Sequence, residues 1–92
     1  MSRSAAGYHH GNLQAALEAV GAGFEQVVKL TCYLVDATQL PVVREVRDQY
    51  VNTQQPPAST AVEVRRLVRD DLLIEVEAVA VVASFQPMTA TA

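Results

Sequence analysis

Two β-rich segments separated by a charged turn constrain this chain more than any other feature. Residues 57–81 read PASTAVEVRRLVRDDLLIEVEAVAV, with Arg-Asp-Asp between two apolar runs. The β-branched content of both runs predicts two strands, over residues 60–67 and 72–85, paired as a hairpin. Glu75 and Glu77 are two positions apart, so a strand places both on one face. A carboxylate in a half-buried strand must be hydrated, paired or used, because burying it among apolar groups is costly.

The residues before this segment predict two helices and one strand. A helix is expected from Asn12, its N-cap, to the stop at Gly21, because Leu13 and Leu17 share one face with their apolar neighbours. A strand follows over residues 27–35, and a second helix over residues 39–51, with Arg44 and Arg47 on its outer face. The order α-β-α-β-β predicts an α+β sandwich with both helices on one face of a mixed sheet. Residues 1–11 are predicted to be a flexible N-terminus, 12–85 a single domain and 86–92 a flexible tail.

Composition limits the class of protein and its partners. A chain of 92 residues suits one small domain. Its formal net charge of −3 argues against a broad nucleic-acid surface. Cys32 is the only cysteine, so no internal disulfide can form, and we expect a buried thiol and a cytoplasmic protein. No apolar segment suits a signal peptide or a membrane span, so no membrane partner is predicted.

Four segments, in order, resemble the RidA/YjgF family, also called the L-PSP endoribonuclease-like family. PASTAVEVRRL is similar to the family pattern P-A-R-[ST]-x-V-E-V-x-x-L, and IEVEAVA is similar to [VI]-E-[IV]-E-A-[IV]-A. NLQAALEAVGAGFEQVVKLTCYLVD resembles the family's first helix and the strand after it, and residues 41–50 resemble its second helix. The resemblance covers residues 12–83 and implies a RidA-like, chorismate-mutase-like sandwich. The three strands that precede the first helix in the family have no counterpart in residues 1–11.

The resemblance also implies a function and a set of site residues. Deaminating members of the family hydrolyse 2-iminoacids to a keto acid and ammonia. We expect neither a cofactor nor a metal in this protein. Glu75 matches the glutamate that orients or activates the attacking water, and Ser59, Thr60 and Ala61 match the ligand-binding segment. Ser59, however, stands where those members carry an arginine that grips the substrate carboxylate in a bidentate fork. The resemblance leads us to expect a small-molecule-binding protein. Because serine is short and neutral and cannot form this fork, we expect its deaminase activity to be weak, divergent or lost.

Other interpretations of the same residues stay open. Depending on the hairpin register, Glu75 is a cross-strand neighbour of Arg65 or Glu63 rather than a catalytic group. The hydroxyls of Ser59 and Thr60 can cap local backbone instead of binding a ligand. Glu75 is also a candidate general base for an RNA-cleaving endoribonuclease, although the acidic composition disfavours RNA.

The N-terminal segment and the last strand bear on partners. GYHHGNL resembles the opening of TetR-type repressors, but the strand-like residues 27–35 replace the recognition helix, so no DNA partner is predicted. The histidine pair at residues 9–10 is expected to be disordered. Both faces of the last strand are largely apolar, and two helices can cover only one of them. We therefore expect a homo-oligomer, and the resemblance favours a trimer that binds an imino or keto acid.

Overall fold

The fold is a mixed sheet with two helices packed on one side. The computed structural model describes residues 3–82 and 87–91, and the side chains of residue 7 and residues 10–82. The helices are α1 (Arg3–Ala19) and α2 (Leu40–Arg47), and the strands are β1 (Val27–Leu34), β2 (Ala58–Glu63), β3 (Ile74–Val81) and β4 (Pro87–Thr91). Short 3-10 turns precede β1 and α2. The predicted α+β sandwich is confirmed, and β4 follows the predicted order α-β-α-β-β as an additional strand.

The sheet places β1, not a hairpin, at its centre. Its order is β2-β1-β3-β4, with β1 parallel to β2 and antiparallel to β3. The predicted β2–β3 hairpin is therefore wrong. The connection between these strands passes the end of β1: Val64 N donates to Leu34 O at 2.8 Å, and Val35 N donates to Leu73 O at 3.2 Å. The apolar β1 gains two hydrogen-bonded neighbours in this way, and the charged turn stays in solvent.

Helix α1 begins well before the predicted start. It runs from Arg3, so the prediction of a flexible segment is wrong for residues 3–11, and Asn12 is an exposed residue within the helix rather than its N-cap. The physical reason is that His10 extends the apolar stripe of Leu13 and Leu17 by one turn, and all three are at most 2% exposed. Gly21, with φ of 78°, ends the helix as predicted, in a backbone conformation that favours glycine.

The C-terminal residues also differ from expectation. Residues 87–91 form β4, which pairs with β3 in antiparallel register, so the predicted flexible tail is wrong there. An exposed edge of β3 favours such pairing, because its backbone groups otherwise lack partners. The predicted last strand, 72–85, is observed as Ile74–Val81, and residues 83–86 lie outside the described part of the chain.

The two sheet faces have different surroundings. On the helix-covered face, the even-numbered residues of β3 are buried against α1 and the core: Ile74, Val76, Ala78 and Ala80. On the open face, which neither helix covers, the odd-numbered residues are half-buried or exposed. Helix α2 adds Val43 and Val46 to the core, and Pro41 lies in its first turn, where a missing N–H costs nothing. The structure thus confirms that both helices lie on one face.

Candidate ligand-binding site

The predicted ligand-binding residues lie on β2, which is an edge strand among those described. In the parallel register with β1, Ser59 pairs with Leu30 and Ala61 pairs with Cys32. Leu30 and Cys32 are buried on the helix-covered face, so Ser59 and Ala61 lie on that face too. Thr60 pairs with Thr31 and lies on the open face. The three residues therefore lie on two different faces of the sheet, Ser59 and Ala61 on the helix-covered face and Thr60 on the open face.

Glu75 is on the open face, away from Ser59 and Ala61. It lies opposite Tyr33 in the antiparallel pair of β3 and β1, and its side chain is half-buried. The adjacent Val76 faces the helices opposite Cys32. Within one chain, the sheet therefore separates the carboxylate of Glu75 from the side chains of Ser59 and Ala61.

The expected neighbours of Glu75 on β2 are also elsewhere. Glu63 lies beside Leu34 in the parallel pair, and its Oε1 accepts a hydrogen bond from Ala37 N at 2.9 Å. Arg65 follows the end of β2 in the exposed connection to β3. The alternative in which Glu75 is a cross-strand neighbour of Glu63 or Arg65 is therefore excluded, because β1 lies between the two strands.

A pocket opens between α2 and β2 on the helix-covered face. Its volume is about 100 Å³. Apolar side chains from four elements line part of it: Leu30, Leu40, Val43, Ala61 and Val76. The polar residues that line it are His10, Cys32, Arg44, Arg47 and Ser59. Two predicted site residues, Ser59 and Ala61, thus meet two arginines that the sequence had assigned to the outer face of the second helix.

Arg47 contacts both Ser59 and Asp48 at this pocket. Its Nη1 donates to Ser59 Oγ at 3.3 Å, while Nε and Nη2 donate to Asp48 Oδ1 at 3.2 Å and 3.0 Å. The outer-face prediction for Arg47 is wrong, since its side chain is only 26% exposed. The spacing of Leu40, Val43 and Arg47 is the signal that was missed, because positions three and seven residues apart share one helical face.

Cys32 forms part of the buried wall of the pocket. Burial raises the pKa of its thiol to about 11, and the Arg47 guanidinium acts in the opposite direction. The thiol is therefore protonated at neutral pH and behaves as a small apolar group with a weak donor. The prediction of a buried, unpaired cysteine is confirmed.

His10 is a second residue that the sequence interpretation missed. It is 2% exposed and stacks on Tyr50, with ring centroids 5.7 Å apart and planes 24° from parallel. The prediction of a disordered histidine pair is wrong for His10, because the helix carries it into the core. The side chain of His9 lies outside the described set. Among the residues that are described, no three histidine, cysteine or acidic side chains form a metal-binding group, and no helix has the length and apolarity to cross a membrane.

The sequence and the fold place this chain in a known class of protein. The sequence profile of the family described as Endoribonuclease L-PSP matches residues 8–82. The chain therefore belongs to this family, which includes the RutC and YjgF proteins, and the resemblance to RidA/YjgF proteins is confirmed. A RutC family protein of Pyrococcus abyssi is 45% identical over 69 residues, which are 75% of this chain and 53% of that protein.

Solved structures agree with this assignment. The crystal structure of Rv2704, a YjgF/YER057c/UK114 family member from Mycobacterium tuberculosis, matches with a TM-score of 0.70 at 32% identity, over 75% of this chain and 58% of that one. Escherichia coli TdcF with bound serine matches with a TM-score of 0.72 at 28% identity, over 82% of this chain and 60% of that one. The chain spans about half the length of the curated relatives it matches.

Proposed function

We propose that this protein binds a small imino or keto acid and has at most weak or divergent 2-iminoacid deaminase activity. The observation that carries the proposal is the pocket between α2 and β2, which contains Ser59 and Ala61 of the segment that resembles the family's ligand-binding motif. Family membership supports small-molecule binding. The bound serine in TdcF, a protein named as a proposed reactive intermediate deaminase, supports a ligand of amino-acid size.

Weak activity follows from the chemistry at Ser59. Hydrolysis of a 2-iminoacid requires the substrate carboxylate to be held while water adds to the imine carbon and ammonia leaves. A serine hydroxyl offers one donor and no charge, whereas an arginine fork offers two parallel charge-assisted bonds. Poorer positioning of the reacting carbon lowers the rate even when the water-activating group is present.

Glu75 remains the proposed water-activating residue, although it is on the open face. We propose that a homo-oligomer, with three subunits favoured by the resemblance, brings the open face of one subunit towards the pocket of another. The exposed apolar side chains at the open face and its margins support this packing: Val62, Leu73 and Val81 are 40%, 46% and 38% exposed. Patches of this kind commonly mark interaction surfaces. A cytoplasmic location remains part of the proposal.

Ammonia release from a freshly generated 2-iminoacid tests the proposed function. The purified protein is compared with a relative that carries arginine at the Ser59 position, with uncatalysed hydrolysis as the baseline. We expect a rate between that baseline and the relative's rate. A rate equal to that of the arginine-bearing relative would contradict the proposed weakening.

An RNA-cleaving activity is the alternative, because the matching family is described as Endoribonuclease L-PSP. Cleavage at a 2′-hydroxyl needs a general base, for which Glu75 is the candidate, and cationic stabilisation of the phosphate. The net charge of −3 disfavours RNA binding. Incubation of single-stranded RNA with the protein and with Glu75→Ala separates the two functions, since Glu75-dependent cleavage would favour the alternative.

A further inference from the structure

Arg47 reaches Ser59 from the opposite wall of the pocket. Its Nη1 is 3.3 Å from Ser59 Oγ, so a guanidinium on α2 contacts the residue that stands where the family motif has an arginine on β2. We propose that Arg47 supplies from α2 the cation that Ser59 lacks, and that it binds the carboxylate of a small 2-oxo or 2-imino acid. Because Arg47 approaches from α2 and not from β2, it holds the carboxylate in a different direction, so binding is retained while the deaminase rate stays low. This inference rests on the proposed function and assigns the residue that recognises the ligand.

The contacts of Arg47 hold its guanidinium in an orientation that suits carboxylate binding. Asp48 accepts from Nε and Nη2, which fixes one edge of the guanidinium plane. Within the described part of the chain, the remaining N–H groups of Nη1 and Nη2 have no partner, and a guanidinium has enough donors to engage a carboxylate as well. A side chain already held in place loses less conformational freedom on binding than a mobile one. Its 26% exposure partly removes it from water, which strengthens a charge-assisted hydrogen bond.

The charge and size of the pocket suit a small anion. Arg44 lies one turn before Arg47 on α2 and adds a second cation, and no carboxylate is among the described lining residues. Asp48 sits on the other edge of Arg47. A volume of about 100 Å³ fits a molecule of a few non-hydrogen atoms, since one water needs about 10–15 Å³.

The rest of the wall is suited to the non-carboxylate end of such a ligand. Val43, Ala61 and Val76 offer apolar contacts for a short alkyl group. The Ser59 hydroxyl, which accepts from Arg47, keeps its own O–H to donate to a ligand oxygen. The pocket thus pairs a cationic edge with an apolar floor, the arrangement expected for an acid with a small side chain.

A structural role for Arg47 is the competing explanation. A cation in the last turn of a helix interacts favourably with the helix dipole, and Arg47 is in that turn. Removing the side chain would weaken the helix in that case as well. Moving the guanidinium to β2 would not restore the helix, but it would restore carboxylate binding, so an exchange of the two residues separates the explanations.

Isothermal titration of the full chain with pyruvate, and with its neutral analogue pyruvamide, tests the proposal. We expect pyruvate to bind and pyruvamide to bind at least about tenfold more weakly, because hydrogen bonds to charged groups contribute that much or more. Arg47→Gln should raise the pyruvate Kd at least about tenfold, and Arg47→Lys, which keeps the charge but loses the fork, should lie between the two. Arg66→Gln is the matched control: it removes the same charge from an exposed arginine whose nearest acidic contact is Asp70 at 3.6 Å, and it should leave Kd unchanged.

The exchange variant, Arg47→Ser with Ser59→Arg, should recover most of the affinity lost in Arg47→Ser alone. Failure of the exchange to recover binding, equal binding of pyruvate and pyruvamide, or unchanged binding in Arg47→Gln would each overturn the assignment of Arg47. Pyruvate binding that persists in Arg47→Gln leaves the proposed small-molecule function intact. Absence of pyruvate binding overturns the assignment, and the ammonia-release assay then decides separately whether the proposed function stands.

Discussion

Glu75 lies directly opposite Tyr33 in the antiparallel pair of β3 and β1, on the sheet face that neither helix covers. Glu77 lies on the same face, opposite Thr31. If Glu75 activates water, Glu75→Gln should lower the residual ammonia-release rate by at least about a hundredfold, the scale of a lost general base. Glu77→Gln is the matched control, with the same chemical change two residues along, and should change the rate little. Equal effects of both variants would assign the loss to the open face as a whole rather than to Glu75.

Replacement of His10 tests its position in the core. His10 is 2% exposed and stacks on Tyr50. His10→Ala should lower the free energy of unfolding in urea by about 1–3 kcal/mol, as expected for lost aromatic packing in a core. Asn12→Ala, an exposed change in the same helix, should stay within about 0.5 kcal/mol of the parent protein. A His10→Ala protein as stable as Asn12→Ala would mean that the first helix does not pack as described.

Cys32 provides a pH-dependent probe of the pocket. Because burial raises the pKa of its thiol to about 11, the reactive thiolate is scarce at neutral pH. The reaction with a small aromatic disulfide should therefore be slow and should accelerate about tenfold per pH unit up to the alkaline limit of folding, with no plateau. In Arg47→Gln the rate should fall further, because the guanidinium that opposes the pKa rise is gone. A plateau at an ordinary cysteine pKa would show that the thiol is exposed to water.

The open face should mediate self-association. Val79 lies on that face, paired with Lys29 of β1 and with residue 89 of β4. Burying an unpaired ammonium is costly, so Val79→Lys should shift sedimentation equilibrium from a trimer towards the monomer. Val68→Lys is the matched control, since Val68 is 85% exposed in the charged connection. A parent protein that sediments as a monomer at micromolar concentration would contradict the predicted oligomer.

The sequence determined the elements of this fold better than their arrangement. Local signals placed the helix stop at Gly21, the strand after it and the second helix to within a few residues. They failed for the strand order, which depends on long-range contacts. The apolar β1 lies at the centre of the sheet and separates β2 from β3, although a charged turn joins these two strands in sequence. The first helix extends to Arg3 because His10 is buried, a tertiary effect that polarity alone does not reveal.

The arrangement of the candidate site also depends on long-range contacts that the sequence does not show. Spacing could assign Ser59 and Glu75 to strands, but only the register shows that they lie on opposite faces. Arg47 was missed because a charged residue on an amphipathic helix is usually solvated. Its position in the stripe of Leu40 and Val43 was visible in the sequence, whereas its contact with Ser59 depends on how α2 packs over β2.

The most direct test of the account asks which face of the sheet holds the ligand. Isotope-filtered nuclear Overhauser measurements between the pyruvate methyl group and the methyl groups of the labelled protein can answer it. We predict contacts with Val43, Ala61 and Val76, which line the pocket between α2 and β2. Contacts with Val62 and Val79 of the open face, without contacts to the pocket residues, would contradict the account.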